Sequence, residues 1–182
     1  MEPKAYGKEQ REYTFRGKTK ASPEAVYGVL ADLNSHLEWG GRRQYKMFRL
    51  LSVDAPNGES QVGTRFSSVG TIPMLKARWE NDNTVTTASR PSVFEVTTEG
   101  RISWKKRPHG EGTFVNRFEI QPDGSGSRVT YTSRQLRFRE PPFGLRYPLM
   151  RSVTANVWVP IWYKRGFHKM LKLAEEQSRA KV

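Results

Sequence analysis

The sequence of 182 residues predicts a single α+β domain in which a curved antiparallel β-sheet grips a long C-terminal helix. Two observations favour this class. Segments with alternating apolar and polar residues follow one another from residue 44 to 139, a pattern typical of antiparallel strands. Residues 151–180 are instead apolar at helical spacing, and they form the one long element available to cover the apolar face of such a sheet.

The C-terminal helix is predicted from one apolar stripe with basic residues on the opposite side. Pro160 interrupts the run because proline has no N–H and crowds the preceding turn, so residues 151–159 form either a separate turn or a bent first segment. Gly166 lies on the stripe. It is either an ordinary exposed helix glycine or a position that leaves room beside the helix for a strand or a ligand. The stripe contains Val159, Tyr163, Phe167, Met170, Leu171 and Ala174.

The domain is expected to span residues 11–182, after a polar arm at residues 1–10. A strand comes first, and Ser22 then has the side chain of an N-cap, with Pro23 at the first position of a short amphipathic helix. A second short helical turn at residues 34–39 ends at two glycines. The sequence therefore predicts two short helices after the first strand.

The remaining strands are predicted from alternation and from the turn residues between them. Asn81-Asp82-Asn83 reads as a bulge or turn, residues 109–112 as a hairpin turn, and residues 122–126 as a hairpin. The predicted strands cover residues 12–20, 45–53, 62–69, 75–80, 85–89, 92–98, 102–106, 113–121 and 127–138.

Composition restricts the partners and the chemistry. The net charge is +13, and residues 101–182 carry +11 of it, so a nonspecific association with nucleic acid through a basic surface is one expectation. The basic residues alternate along strands, however, which is equally typical of a solvated face. The chain has no cysteine and no apolar run of membrane-spanning length, which favours a cytoplasmic protein. Its three histidines are scattered, so we expect neither a metal site nor a cofactor.

Aromatic residues from different predicted elements point to a ligand pocket. Large aromatic rings with polar tips suit a pocket wall, although the same residues could simply pack a core. Trp39 is expected at the pocket mouth and Trp162 on its helix side. The candidate ligand-binding residues are Trp39, Phe66, Trp79, Phe94, Trp104, Phe118, Tyr131, Trp162 and Gly166.

Five segments in a fixed order carry a resemblance to a known family: residues 21–32 followed by Trp39, then 62–66, 85–94, 126–131 and 166–176. Over about residues 11–178 the chain resembles the START-like helix-grip (SRPBCC) superfamily, and within it the polyketide cyclase/dehydrase-type branch. The resemblance implies a helix-grip fold with a deep cavity between sheet and C-terminal helix that accommodates apolar molecules. Because the ordered set is specific for fold and weak for function, it leaves the activity open.

Three functions remain open. The first is binding of an apolar or polycyclic small molecule, polyketide-like or lipid-like. The second is an aromatase/cyclase or dehydratase acting on a poly-keto intermediate. Related cyclases place Ser and Arg shortly after the strand tryptophan, whereas Trp79 is followed by Glu80, Asn81 and Asp82. A general acid or base could still come from Tyr131, Glu80 or Asp82 if buried, although no catalytic residue is assigned.

The third function comes from the same superfamily, which includes proteins that protect antibiotic producers by being cleaved by an enediyne. Hydrogen abstraction from the backbone is easiest at glycine, and a strong positive charge would hold such a protein near DNA. Gly110, Gly112 and Gly166 are the candidate cleavage positions.

Overall fold

The computed structural model describes residues 11–41, 49–73, 76–104, 107–139 and 148–180. Its strands are β1 (Arg11–Thr19), β2 (Arg49–Asp54), β3 (Arg65–Ile72), β4 (Ala77–Ser89), β5 (Val93–Trp104), β6 (Arg107–Asp123) and β7 (Gly126–Arg139). Its α-helices within these ranges are α1 (Pro23–Ala31), α2 (His36–Trp39), α3 (Pro148–Val153) and α4 (Val159–Ala180).

The strands form one antiparallel sheet with the order β1-β7-β6-β5-β4-β3-β2. Apart from the β1–β7 pair, neighbouring strands are consecutive in the chain, so most of the sheet is a meander. Register shifts interrupt the β2–β3, β4–β5, β5–β6 and β6–β7 pairs, and such irregularities bend strands and increase their twist. The curved sheet and the long C-terminal helix confirm the predicted α+β helix-grip class.

Helix α4 packs on one face of the sheet, which we call the inner face. The C-terminal part of the predicted stripe is confirmed, because Phe167, Met170, Leu171 and Ala174 are all buried, whereas Val159 and Tyr163 are half-buried. Gly17 of β1 lies directly against this stripe: a Cβ there would stand 2.7 Å from Leu171 Cδ1. The close approach of helix and strand therefore depends on a residue without a side chain.

A carboxylate of α4 also holds the helix against the C-terminal end of β1. Glu175 Oε1 accepts hydrogen bonds from the Lys20 backbone N–H and from the Thr19 hydroxyl, each at 2.9 Å. These two bonds, the backbone one first, lower the pKa of Glu175. Apolar packing and a charge-assisted anchor thus set the position of α4 along β1.

The chain enters α4 through a helical segment. α3 continues into a π-helical turn at Thr154–Trp158, and α4 follows directly. Pro160 lies in the first turn of α4, where a missing N–H is tolerated best, and the wide π turn immediately precedes it. Of the two forms that the sequence left open, the structure has a first helical segment rather than a separate turn.

Helix α1 closes one end of the inner face. Ser22 is its N-cap, as predicted: Ser22 Oγ accepts a hydrogen bond from the Ala25 N–H at 3.3 Å, and Pro23 begins the helix. Tyr27 packs edge-on against Phe94 of β5, with ring centroids 5.8 Å apart. The apolar core at this end contains Val26, Tyr27, Val29, Leu30, Phe94, Ile120, Val129, Phe167 and Met170.

The predicted break at Asn81-Asp82-Asn83 is wrong. These residues lie within β4, which is continuous from Ala77 to Ser89, and the register shift with β5 falls between Val85 and Thr87. The turn-like composition does not produce a turn here, because strands on both sides of β4 supply the backbone hydrogen bonds. The side chain of Asn83 is also buried on the inner face of the sheet. The predicted gap between strands at residues 99–101 is also absent, because these residues of β5 pair with β4 on one side and with β6 on the other.

The predicted hairpin turn at residues 109–112 is also wrong. Gly110 and Gly112 lie inside β6, where they pair with Ile102 and Gly100 of β5. Because Gly112 pairs with Gly100, neither strand carries a side chain at that position. Glycine within a strand often marks such a close approach of another backbone.

Several strand boundaries differ from the predicted ones by a few residues. Val62 and Gly63 form a turn, with φ of +87° at Gly63, so β3 begins at Arg65 rather than at residue 62. The predicted arm at residues 1–10 lies outside the described residues, as do the predicted strand residues 45–48, 75 and 105–106.

Candidate functional site

The inner face has two zones. Near α1 it is the apolar core described above. Toward the N-terminal half of α4, polar side chains stand among aromatic rings, and we call this region the polar-aromatic zone. It comprises His36, Trp39, Phe66, Ser68, Asn83, Thr98, Asn116, Phe118, Tyr131, Ser133, Tyr163 and Gly166.

Asn83 on β4 connects three neighbouring strands by side-chain hydrogen bonds. Its Nδ2 donates to Ser68 Oγ and to the backbone carbonyl of Phe66, each at 3.3 Å. Its Oδ1 accepts a hydrogen bond from the Thr98 hydroxyl at 2.8 Å. Asn83, Ser68 and Thr98 are all less than 9% exposed, so these hydrogen bonds offset the cost of burying polar groups on this face.

A second polar cluster lies on β6 and β7. The Tyr131 hydroxyl donates to Asn116 Oδ1 at 2.9 Å. Burial raises the pKa of Tyr131 well above its ordinary value, the nearby Tyr163 adds to the rise, and hydrogen bonding with Ser133 opposes it. Burial also raises the pKa of Tyr163, again against Ser133. Both phenols are therefore protonated at neutral pH and can donate hydrogen bonds.

Aromatic rings pack around Tyr131. Phe118 stacks on it with ring centroids 4.5 Å apart and planes 8° apart. Phe15 and Phe167 stack less closely, each at 5.9 Å, and Tyr163 meets it edge-on at 6.0 Å. The phenol is thus held by contacts with the sheet and with α4, which fixes the direction of its hydroxyl.

Helix α2 brings His36 and Trp39 to this zone, since residues three apart lie on the same side of a helix. Their ring centroids are 4.5 Å apart, and they meet Phe66 at 5.5 Å and Phe118 at 6.4 Å respectively. Burial lowers the pKa of His36 to about 4, and a hydrogen bond with the backbone carbonyl of Leu30 opposes that shift. His36 is therefore neutral at pH 7.

The structure brings five predicted ligand-binding residues together in the polar-aromatic zone: Trp39, Phe66, Phe118, Tyr131 and Gly166. Among the described residues, a Cβ added at Gly166 would have the Trp39 backbone oxygen as its nearest neighbour, at 3.8 Å. Gly166 therefore faces α2, with room for a Cβ against the Trp39 carbonyl.

The other predicted ligand-binding residues lie elsewhere. Trp162 stacks on Tyr163 at 5.3 Å and is half-buried at the edge of the zone. Trp79 covers Gly70 of the adjacent strand so closely that a Cβ at residue 70 would collide with the indole. Phe94 packs in the apolar core against α1. Trp104 ends β5, and its side chain lies outside the described part of the chain.

The two candidate acid/base carboxylates are on the outer face of the sheet. Glu80 pairs with Arg78 at 2.8 Å, and Asp82 pairs with Arg101 at 2.9 Å. Their side chains are 47% and 66% exposed, so neither carboxylate is buried as the hypothesis of an acid/base role required. Among the residues that define the polar-aromatic zone, the polar groups are hydroxyls, amides, an imidazole and an indole.

A depression of about 890 Å³ also lies on the outer face, over β3, β4 and β5. It is wide open to solvent, and its wall includes Asp54, Arg65, Asp82, Thr86 and Glu99. Charged and hydroxyl side chains in an open groove do not suit an apolar ligand, whose affinity comes from enclosure by apolar surface. The polar-aromatic zone is therefore the better candidate site.

Sequence reasoning missed the polar members of the zone, although alternation carried a signal for them. Each one stands two residues from a predicted inner-face aromatic or aliphatic residue, and side chains two apart in a strand share a face. These polar residues are Ser68, Asn83, Thr98, Asn116 and Ser133. The sequence analysis weighed His36 only as a metal ligand, and its place three residues before Trp39 on a short helix was the signal that the two rings lie on one side.

The basic outer surface is partly neutralised. Arg117 contacts Glu95 and Glu119, and Arg128 contacts Asp123. Within the described ranges, no cluster of histidine and carboxylate side chains could hold a metal ion. In the same ranges, no helix combines the length and the apolar character needed to cross a membrane.

Comparison with known proteins identifies a family and a fold. The sequence profile described as "Polyketide cyclase / dehydrase and lipid transport" matches residues 14–175. A search of curated proteins found no match. Among solved structures, a putative uncharacterized protein from Rhizobium leguminosarum superposes with a TM-score of 0.65 at 9% identity, covering 93% of this chain and 96% of its own.

Two further structures have the same fold. A protein of unknown function from Staphylococcus aureus gives a TM-score of 0.63 at 16% identity, with 94% of this chain and 97% of its own covered. A protein from Chromobacterium violaceum gives 0.61 at 11% identity, with 90% and 96% covered. Identities this low establish a shared fold alone.

Proposed function

The chain belongs to the polyketide cyclase / dehydrase and lipid transport family, and on that premise we propose that it binds an apolar or polycyclic small molecule between the sheet and α4. The ligand would lie in the polar-aromatic zone, on the side where α2 and α4 face each other. The ligand class is polyketide-like or lipid-like, with a large apolar body and a small number of polar groups.

The observation that carries the proposal is the combination of buried polar side chains with aromatic rings on the inner face. A core needs only apolar residues there, since each buried polar group must find a hydrogen bond to offset its desolvation. Polar groups occur at this end on β3, β4, β5, β6 and β7, whereas the buried side chains beneath α1 are mostly apolar, with Ser127 of β7 a buried hydroxyl that donates to the Ala21 carbonyl. Ligand sites typically combine an apolar wall with a few fixed polar groups, which is the pattern at the first end.

Gly166 supports the location. It lies in the N-terminal half of α4, opposite the backbone of Trp39 at the end of α2. Glycine inside an exposed helix costs about 1 kcal/mol relative to alanine, so its presence here is explained if the space beside it is used. A ligand between the two helices would use that space.

The test is to place a larger side chain at residue 166, between α2 and α4. Gly166→Leu should weaken binding of 1-anilinonaphthalene about tenfold while changing the free energy of unfolding little, because the added side chain projects toward α2. This dye is uncharged, so the strongly basic surface does not attract it. Fluorescence titration gives the dissociation constant, and urea denaturation gives the stability.

Two variants serve as controls. Gly166→Ala adds only a Cβ with its nearest neighbour at ordinary contact distance, so it should bind the dye like the wild type. Lys164→Leu adds the same leucine at an exposed position of α4 and should leave affinity unchanged. Equal affinity of Gly166→Leu and Lys164→Leu would place the ligand outside the space between α2 and α4.

Catalysis of cyclisation or dehydration is the second candidate. The family description includes such enzymes, and the protonated phenols of Tyr131 and Tyr163 could act as proton donors to a poly-keto chain. Turnover of a poly-keto thioester followed by mass spectrometry separates this candidate from binding, since a binding protein returns the compound unchanged. Loss of turnover in Tyr131→Phe with binding retained would support the catalytic role.

The remaining expectations stay predictions. Self-sacrifice against an enediyne, with antibiotic resistance as its purpose, would require cleavage of this chain at a single glycine while DNA is spared, which mass spectrometry of the treated protein would detect. Nucleic-acid association and a cytoplasmic location likewise stay predictions from charge and composition.

A further inference from the structure

Two buried polar atoms in the polar-aromatic zone have no hydrogen-bond partner among the described residues. His36 Nε2 and Trp39 Nε1 are both shielded from solvent, and neither is hydrogen-bonded within the described part of the chain. Their rings are neighbours on α2, with centroids 4.5 Å apart. Buried polar groups are almost always paired in folded proteins, so two adjacent exceptions need an explanation.

The two atoms have opposite hydrogen-bonding character. The indole Nε1–H is always a donor. The backbone carbonyl of Leu30 accepts the hydrogen bond of the His36 ring, and because no described residue pairs with Nε2, Nδ1 carries the proton of that bond. Nε2 of the neutral ring is therefore an acceptor with a free lone pair.

We propose that His36 and Trp39 together bind one hydroxyl group of the ligand, which accepts a hydrogen bond from Trp39 Nε1 and donates one to His36 Nε2. A hydroxyl is the smallest group that offers a donor and an acceptor on a single atom. Phe66 and Phe118, which contact the two rings, would pack against the apolar body beside that hydroxyl. This inference rests on the proposed function and narrows it to phenols and alcohols.

Two buried, unpaired groups would make the site selective for ligands with a hydroxyl. A site with buried groups built to pair with a hydroxyl discriminates against an analogue that lacks it, because the analogue leaves those groups unpaired. An ordinary buried water could also pair with both atoms, and in that case a ligand hydroxyl would bring no advantage.

The experiment compares three probes of similar size by displacement of 1-anilinonaphthalene. 2-Naphthol can donate and accept, 2-methoxynaphthalene can only accept, and 2-methylnaphthalene can do neither. For each protein variant, the preference is the dissociation constant of 2-methylnaphthalene divided by that of 2-naphthol or of 2-methoxynaphthalene. Taking ratios removes effects of the variant on the apolar part of binding.

His36→Phe should lower the 2-naphthol preference about tenfold and leave the 2-methoxynaphthalene preference unchanged, since only the acceptor of the hydroxyl proton is removed. Trp39→Phe should lower both preferences. Glu38→Gln changes an exposed neighbour on α2 and should leave both unchanged. Circular dichroism and thermal unfolding confirm that each variant is folded before titration.

The outcomes separate this inference from the function on which it rests. Unchanged preferences in His36→Phe and Trp39→Phe, with all probes still displacing the dye, would overturn hydroxyl recognition and leave apolar binding intact. A wild-type protein that binds neither dye nor probes would overturn both.

Discussion

At the scale of single residues, the half-buried His36 carries a desolvation cost at Nε2, which is shielded from solvent and has no partner among the described residues. The ring is neutral when folded, whereas in the unfolded chain it would take up a proton near its ordinary pKa of 6.5. The folded pKa of about 4 is therefore depressed. Between pH 6.5 and about 4 the unfolded chain binds more protons than the folded one, so the free energy of unfolding decreases as the pH falls through this range.

The pH dependence gives a measurable prediction. Lowering the pH from 7 to 5 should cost the folded protein about 2 kcal/mol through His36 alone. His36→Phe should remove that part of the pH dependence, whereas His168→Phe, at an exposed position of α4, should keep it. Urea denaturation at the two pH values measures it, and equal pH dependence in wild type and His36→Phe would show that His36 can be charged when folded.

At the scale of elements, the contact between α4 and β1 determines where the inner face is closed. Gly17 allows Leu171 and Phe167 to approach the strand, and Glu175 fixes the helix end against Thr19 and Lys20. Gly166, the residue directly before Phe167, faces α2 instead, and among the described residues a Cβ there would meet the Trp39 backbone oxygen at ordinary contact distance. The two glycines of these α4 contacts thus have different physical roles.

This difference predicts opposite effects of alanine. Gly17→Ala should destabilise the fold by about 1–3 kcal/mol, because its Cβ would stand 2.7 Å from Leu171 Cδ1 and 3.0 Å from the Phe167 ring. Gly166→Ala should stabilise it by up to about 1 kcal/mol, because alanine favours the helix and its Cβ meets no described residue closer than 3.8 Å. Chemical denaturation measures both changes, and a destabilised Gly166→Ala variant would show that α2 lies closer to α4 than described.

Much of the element order was predictable from local pattern. Ser22-Pro23 specified the start of α1, and the stripe from Phe167 to Ala174 specified the buried side of α4, because caps and helical spacing are local signals. Residues 81–83 and 109–112 misled the prediction, because turn-like composition was outweighed by strands that pair on both sides. Pairing with distant strands is a tertiary effect that no short segment reveals.

The candidate site was predictable only in part. Aromatic residues such as Phe118 and Tyr131 stand out in a sequence, and the structure brings them together. The proximity of His36 and Trp39 to Phe66 and Phe118 depends on where α2 docks, which is set by long-range packing. The polar inner-face residues were accessible in principle through the two-residue period, but only after the inner register of each strand was known.

At the scale of the whole molecule, the two ends of the inner face differ in character. One end, beneath α1, is mostly apolar, whereas the other combines hydroxyls, amides, Trp39 and His36 with aromatic rings. Under the proposed function, the first end stabilises the fold, and recognition of a ligand outweighs optimal packing at the second. We propose that an apolar ligand with a hydroxyl occupies the second end.

The most direct measurement is a titration with 2-naphthol followed through the tryptophan indole N–H resonances, with Trp39→Phe used to assign the signal of residue 39. We expect the Trp39 resonance to move downfield and saturate, because its Nε1–H gains an acceptor, while the exposed Trp158 stays unchanged. A Trp39 resonance that does not move at saturating probe, or a shift confined to Trp158, would contradict the account.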